Sequence, residues 1–392
     1  MYKEKTSQAV EILKEYGIDL WLTFVRETHT IHDPSLDFLC PSALTWQSAL
    51  IIGSDGEKTA IVGNLDLAAV KETGIYDQVI AYKNDIKPEL TGVLIKKNPK
   101  KIAINFSKDS EMSDGLTHGM FLQLNEYLKD TGFSKNFVSA ENIISALRGR
   151  KTPEEARRLR KAAKYTQKIF DGVSGYMKPG MTEKHVAEFI LVRLKEMCLE
   201  PSWDVSTCPS VFTGPDTAGA HFGPTDRKIE PGHILNIDFG VKSDSYVSDM
   251  QRTWYFLRQG EKEPPAEVKK GFDVLLGSIR AAAKTIKPGI QGKDIDAVAR
   301  QYIVDNGYEE FPHALGHQLG RAAHDGHGLL CPEWERYGER PYVKIEKGQV
   351  YTIEPRLTVK DHGVVTIEEE VIVTDSGCEY LSEPQTELYV IA

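Results

Sequence analysis

The run ILNIDFGV at residues 234–241, the polar turn KSDS at 242–245 and the run YVSDMQRTWYFL at 246–257 read as the two strands and turn of a β-hairpin. β-Branched and aromatic residues fill both runs. Each run carries one acid among apolar neighbours, Asp238 in the first and Asp249 in the second. With Ser243-Asp244 at the centre of the turn, Asp238 is expected directly opposite Asp249, with Cβ atoms about 4.5–5.5 Å apart. Two facing carboxylates in an apolar strand repel each other and are costly to bury. A divalent cation between them removes that cost.

The pattern returns near the C-terminus. VYTIEPRLTV at 350–359 and VVTIEEEVIVT at 364–374 flank the turn KDHG at 360–363. A turn centred on Asp361 places Glu354 opposite Glu368, and Gly363 suits a turn position with αL geometry or a bulge. Glu369 points to the other face by alternation and reads as a surface or supporting acid. A single strand acid usually faces water. Two facing acidic pairs in one chain point to metal binding instead.

Histidines supply the nitrogen ligand. FPHALGHQLGRAAHDGHG at 311–328 holds His313, His317, His324 and His327 within a glycine-dense stretch that argues against a plain helix. His221, in AHFGP, stands apart, shortly before the first acidic strand. Oxygen ligands with one imidazole suit Mn²⁺, Fe²⁺, Co²⁺ or Zn²⁺ better than a sulfur-loving metal. Four carboxylates suit two such cations about 3.5–4 Å apart.

Around this centre lie 392 residues with 48 basic and 57 acidic side chains, a net charge of −9. That balance argues against nucleic acid or an anionic membrane as the main partner. Hydrophobic residues at 41% and charged residues at 27% are globular values, and the length implies two domains. No run approaches the ~18 apolar residues of a membrane span. The N-terminal MYKEKTSQAVEILKEYG is an amphipathic helix pattern with no signal-peptide core. Cys40, Cys198, Cys208, Cys331 and Cys378 are scattered, which disfavours a disulfide framework or a cysteine zinc site and points to the cytoplasm.

Residues 1–147 alternate strand and helix patterns and are expected to form a small α/β domain. Strands are expected at Leu20–Val25, Ser48–Ile52, Thr59–Val62, Val79–Tyr82 and Ile102–Asn105, and a helix at Phe121–Lys129. No reactive constellation stands out there, and the polar, irregular stretch Glu27–Cys40 receives no role. A second domain, 148–392, opens with Thr152-Pro153-Glu154-Glu155, where Thr152 can cap a long helix, Pro153 suits its first position and Glu155 completes a capping box. Within it, Lys178-Pro179-Gly180-Met181-Thr182 and Lys287-Pro288-Gly289-Ile290-Gln291 each open a helix roughly 110 residues apart, too long a period for a solenoid. The expectation is two similar halves facing each other across a cleft.

With these residues in order, the chain resembles the two-domain metallopeptidases of the pita-bread fold: prolidase, aminopeptidase P and the related methionine aminopeptidases. The contexts IDFG, SDMQRT, GHQLG, TIEP and IEEEVIVT carry the resemblance, with Lys228-Ile229-Glu230-Pro231-Gly232 and the capped helix after Lys151. It covers residues from about 150 to the C-terminus. The fold it implies is α+β: a creatinase-like N-terminal α/β domain, then a catalytic pita-bread domain of antiparallel sheet and flanking helices in two pseudo-symmetric halves. It implies five metal ligands, Asp238, Asp249, His317, Glu354 and Glu368, holding two divalent ions, Mn²⁺ before Co²⁺, Zn²⁺ or Fe²⁺. Asp238 chelates one, His317 and Glu354 the other, and Asp249 and Glu368 bridge. Glu354 takes the proton of the attacking water, while His221 and His324 contact substrate and support catalysis. His313 matches a substrate-binding histidine of the proline-specific branch.

The function implied is hydrolysis of the bond before proline in Xaa-Pro dipeptides or at the N-terminus of Xaa-Pro peptides, by a cytoplasmic homodimer. One departure stands out. The proline-specific enzymes usually place an arginine two residues before the last glutamate ligand, and here that residue is Thr366. Their EPG is here Glu354-Pro355-Arg356. The alternative is a metal-dependent hydrolase or lyase of the same fold acting on a small non-peptide C–N or C–S metabolite.

Overall fold

The helix announced by Thr152 runs from Pro153 to Tyr176 in the computed structural model, which describes residues 1–215 and 222–392. The Glu155 backbone N–H donates to Thr152 Oγ1 at 3.3 Å, and Glu155 Oε2 accepts from the Thr152 N–H at 2.8 Å, so two orphan donors of the helix start are satisfied reciprocally. Just before this cap the chain divides into two units, Met1–Arg148 and Gly149–Ala392.

The first unit is built on a six-stranded sheet. Its order is Gln78–Tyr82, Lys58–Gly63, Ser48–Gly53, Leu20–Val25, Ile102–Ile104 and Phe137–Ser139. Leu20–Val25 is central and buried throughout because both faces are covered. Trp21 and Val25 join a core with Leu13, Phe38 and Leu147, while Leu22 and Phe24 join another with Leu90 and Leu124. The stretch Glu27–Cys40 contains a short helix, Leu36–Leu39, and a buried acid. Asp33 Oδ1 accepts from the Ser35 N–H and hydroxyl, and its Oδ2 accepts from Asn105 Nδ2 at 2.8 Å. Asn105 Oδ1 in turn accepts from Trp21 Nε1 at 2.7 Å. Burial pushes the Asp33 carboxyl up, and these hydrogen bonds oppose the shift.

The second unit repeats a motif. After the first KPG turn, Gly180 N–H donates to Ile229 O, and Ile229 N–H donates to Met181 O, each at 2.8 Å. After the second, Gly289 N–H donates to Ile345 O, and Ile345 N–H to Ile290 O, again each at 2.8 Å. The helices that follow are Glu183–Glu196 and Gly292–Asp305. Each half thus clips its KPG turn onto the segment that enters its first acidic strand, KIEPG in one and KIEKG in the other.

Four strands, Tyr389–Ile391, Met250–Phe256, Ile234–Phe239 and Ser210–Thr213, form the sheet of the first half. Val350–Ile353, Glu369–Val373 and Cys378–Tyr380 form that of the second, extended by the hairpin of Arg356–Val359 and Gly363–Thr366. Asn236 Nδ2 donates to Val364 O, Thr253 Oγ1 donates to Thr366 O, and Gln251 bridges to Glu368, so the inner strands of the first half hold the hairpin of the second. Phe272, Leu275, Ile279, Ala299 and Ile303 from two helices pack against Tyr351, Ile353, Leu357 and Val371.

The first hairpin corrects the expected register. Its turn centres on Asp244-Ser245, with φ of 52° and 64°, so Asp238 lies opposite Gln251 and not Asp249. Two successive positive φ angles are the type I′ turn, whose twist matches the flanking strands. The slip is two residues, so parity is kept and Asp249 still shares the face of Asp238. The second hairpin pairs as expected, with Val359 opposite Gly363 and Ile353 opposite Glu369. Glu354 and Glu368 sit at the break between its two paired segments.

Candidate metal centre

The first hairpin breaks its pairing at Asp249 and the second at Glu354 and Glu368, and these acids face one cavity of about 260 Å³ together with the strand-borne Asp238. Asp238, Asp249, His317, Glu354 and Glu368 all line it, and so does His324. His317 Nε2 lies 3.7 Å from Asp249 Oδ2, 3.4 Å from Glu354 Oε1 and 3.8 Å from Glu368 Oε1. Asp249, His317 and Glu368 can offer three ligand atoms within 4.8 Å of one another.

Local backbone chemistry sets these positions. Gly316 lets the strand carrying His317 approach its neighbour, since a Cβ there would lie 1.9 Å from Thr352 O. His317 N–H donates to Thr352 Oγ1 at 3.1 Å, and Glu354 N–H donates to Leu315 O at 2.7 Å. His317 Nδ1 lies 3.4 Å from Gln318 O, which leaves Nε2 directed at the acids. The His317 and His324 rings meet edge to face at 4.2 Å.

The electrostatics are those of a cation site. Burial raises the carboxyl pKa of Asp238, Asp249, Glu354 and Glu368, and mutual repulsion raises the last three further. Asp238 is pushed up to about 7. Asp238 Oδ1 and both carboxylate oxygens of Glu368 are buried with no hydrogen-bond partner among the described residues. Buried acceptors without donors, gathered around an imidazole, have the chemistry of ligands for a hard or borderline divalent cation.

Several contributors escaped the sequence. Gln251 Nε2 reaches Glu354 Oε2 at 3.4 Å, and its Oε1 accepts from Thr366 Oγ1. Alternation places it on the face of Asp249, which was a usable signal. Glu370 shares the parity of Glu368. Its Oε1 accepts from the Asp249 N–H at 2.5 Å, and burial pushes its pKa up to about 8. Trp203 and Ser210 also line the cavity, from a stretch with no motif.

Glu369 is not a surface acid. It is buried, lies 3.2 Å from Arg252 Nη2 and accepts from the Gln385 N–H at 2.8 Å. Its side of the sheet is covered by the helix Pro153–Tyr176, from which Gln167 also reaches Arg252. Arg252 Nη1 donates to Glu368 O at 3.0 Å and so holds that segment from behind. His313 does not line the cavity. Its Nδ1 is 2.8 Å from Ala314 O, and its carbonyl accepts from Arg300 Nη2 at 2.9 Å. His221 lies outside the described residues.

An acid-and-histidine cavity between two similar halves defines the metal-dependent hydrolases of the pita-bread fold. The sequence profile of metallopeptidase family M24 matches residues 157–375, more than half of the chain, and the protein belongs to that family. An uncharacterized peptidase of Staphylococcus aureus is 31% identical over 337 residues, covering 85% of this chain and 87% of its own. Among solved structures, an Xaa-Pro dipeptidase from Bacillus anthracis shares the fold with a TM-score of 0.76 at 22% identity, each chain covered in full. An X-Pro aminopeptidase from Thermotoga maritima follows at 0.72 and 23%, covering 98% of this chain and 99% of that one. The prolidase of Pyrococcus horikoshii stands at 0.70 and 24%, with 98% and 99% covered. Among the described residues, no helix is long and apolar enough to cross a membrane.

Proposed function

We propose that the protein is a binuclear metallopeptidase that cleaves the bond before proline in Xaa-Pro dipeptides or at the N-terminus of Xaa-Pro peptides. The observation that carries this reading is the single cavity lined by four raised-pKa carboxylates and His317, with buried oxygens of Asp238 and Glu368 lacking any donor among the described residues. Asp238, Asp249, His317, Glu354 and Glu368 would hold two divalent ions, Mn²⁺ first among the candidates. When bound, such a pair acidifies the attacking water and polarises the scissile carbonyl.

The chain's own residues supply the rest. Glu354, held by Gln251, would take the proton of the attacking water. His324, against His317 at the cavity wall, would donate a hydrogen bond to the substrate carbonyl. His221 would share that task by the resemblance alone. His313 would contact the substrate beyond the metal centre. Asp249, His317 and Glu368 are buried, so charges at the centre interact at a lower dielectric than in bulk water. Five free thiols fit a reducing cytoplasm. The homodimer rests on the resemblance. A small C–N or C–S metabolite is the second reading, kept by Thr366 in the place of an arginine.

The test is turnover of Leu-Pro and Leu-Pro-Leu with Leu-Leu as control, in Mn²⁺-loaded protein whose metal content is measured. Cleavage of a proline substrate that a chelator abolishes is the expected result. Silence on all three by protein holding two equivalents of metal overturns the peptidase specificity and favours the metabolite.

A further inference from the structure

His324 reaches the cavity from a loop without regular structure, between the strand of His317 and the short strand Leu329–Leu330. Its imidazole is exposed, whereas the next residue, Asp325, is buried. Asp325 closes the loop at both ends. Its N–H donates to Gln318 O at 2.9 Å, and its Oδ2 accepts from the Arg321 N–H at 2.5 Å. The base of the loop is tied to the first half, where the Val247 N–H, two residues before Asp249, donates to Gly320 O at 2.9 Å.

A buried carboxylate calls for a cation or a full set of donors. Lys151 supplies the cation. It is buried as well, just ahead of the helix cap at Thr152. The two charged groups converge on Gly320, where a Cβ would lie 2.1 Å from Asp325 Oδ2 and 2.7 Å from Lys151 Nζ. Only a residue without a side chain leaves room for both. Neither Lys151 nor Asp325 lines the cavity. The pair therefore acts on the cavity through what the loop carries there, Ala323 and His324.

We propose that Asp325, paired with Lys151, is a positioning residue that fixes residues 321–324 and thereby aims His324 into the cavity. That His324 then serves a substrate rests on the peptidase reading above. A reacting group misplaced by about 1 Å can lose about 100-fold in rate. An irregular loop holds a side chain to that tolerance only when its backbone is anchored by buried contacts. The closure by Asp325 provides that anchor one residue from His324.

The test is a double-mutant cycle in metal-loaded protein whose metal content and thermal unfolding are measured. Asp325→Asn keeps the shape and an acceptor for the Arg321 N–H but removes the charge beside Lys151. It should lower kcat for Leu-Pro by about 10- to 100-fold with the metal retained. In the His324→Ala background the same change should cost less than about twofold, because the group it positions is already gone. Where Asp325→Asn does not fold, Lys151→Met/Asp325→Asn carries the same cycle, since it leaves neither charge buried alone. A second readout needs no substrate: carbethoxylation of His324 by diethyl pyrocarbonate, followed by peptide mass spectrometry with the exposed His118 as internal standard. Releasing the loop should speed that reaction relative to His118. Additive losses, loss of metal, or an unchanged carbethoxylation rate in a folded variant each overturn the role of Asp325 while leaving the peptidase intact. If wild type cleaves no peptide, the peptidase reading fails. Carbethoxylation then decides for Asp325: a faster reaction in the variant upholds the anchor, and an unchanged one overturns it.

Discussion

The two halves of the second unit share a scaffold and differ in what they mount on it. The segment KIEPGHILNID at 228–238 answers KIEKGQVYTIE at 344–354, and each is clipped to its own KPG turn by the same pair of backbone hydrogen bonds. The acids Asp238 and Glu354 end these segments at equivalent places. The strands beside them diverge. In the first half Phe212 lies opposite Asn236. At the matching place in the second half His317 lies opposite Thr352, with Gln318 and Tyr351 bridging next to it. One half contributes two aspartates, and the other contributes two glutamates and an imidazole. A near-symmetric frame thus carries an asymmetric donor set, which suits two cations with different tasks.

The largest effect is expected where the acids of either half are removed. Asp249→Ala in the first half and Glu368→Ala in the second should each abolish turnover and lower the bound metal, read by elemental analysis beside the assay. Full metal content in either variant would break the account in which both halves share the ions. His317→Phe sharpens the contrast, since it gives the second half the residue of the first. Metal affinity should fall by more than the roughly 10–100-fold that losing an outer-shell partner costs. The loss should be confined to one of two equivalents, measured by competition with a chelating indicator.

A third prediction concerns what joins the halves. Arg252, from the first, is buried against Glu369, from the second, and also holds the Glu368 carbonyl. Arg252→Met leaves a buried carboxylate without its cation, which should cost about 3–5 kcal/mol of stability by denaturant unfolding. Adding Glu369→Gln should recover a large part, because the pair is then replaced as a unit. An additive double variant would show that the two do not act together.

The comparison also marks what the sequence could disclose. The second hairpin was legible because Gly363, at φ 129°, fixes its turn, and Asp361 takes φ 63° beside it. The first was displaced because KSDS has no glycine, and nothing local says that Asp244 and Ser245 both adopt positive φ. The acids survived this error since a two-residue slip preserves the face. Glu369 was half legible for another reason: of the two readings, surface or supporting acid, the structure realises the second. Alternation does send it to the back of the strand, but whether that back is wet depends on a helix some two hundred residues earlier in the chain. Asp33 was illegible in the same way: its partner Asn105 follows a distant strand, and local spacing carries no trace of the pairing.

The smallest effect sits at the helix starts, where the first helical residue differs between the halves. Thr182 and Gln291 bridge to Lys228 and Lys344 in the same manner, but the next residue is Glu183 in one half and Gly292 in the other. Glu183 is buried, and its carboxylate accepts from the Thr213 N–H at 3.0 Å and from the Thr225 N–H and hydroxyl at 3.0 and 2.7 Å. In the second half the backbone fills that place, since a Cβ on Gly292 would lie 1.9 Å from Leu329 O. Gly292→Ala must move backbone, and it should destabilise by about 1–3 kcal/mol. Glu183→Gln keeps one acceptor oxygen and should cost only about 1–2 kcal/mol. Thr213 and Thr225 bracket the segment that contains His221, so a KM increase larger than the change in kcat should accompany that modest loss. A Glu183→Gln enzyme with unchanged KM and the same fall in stability would reduce Glu183 to a structural anchor, equivalent to the backbone contact that replaces it in the other half.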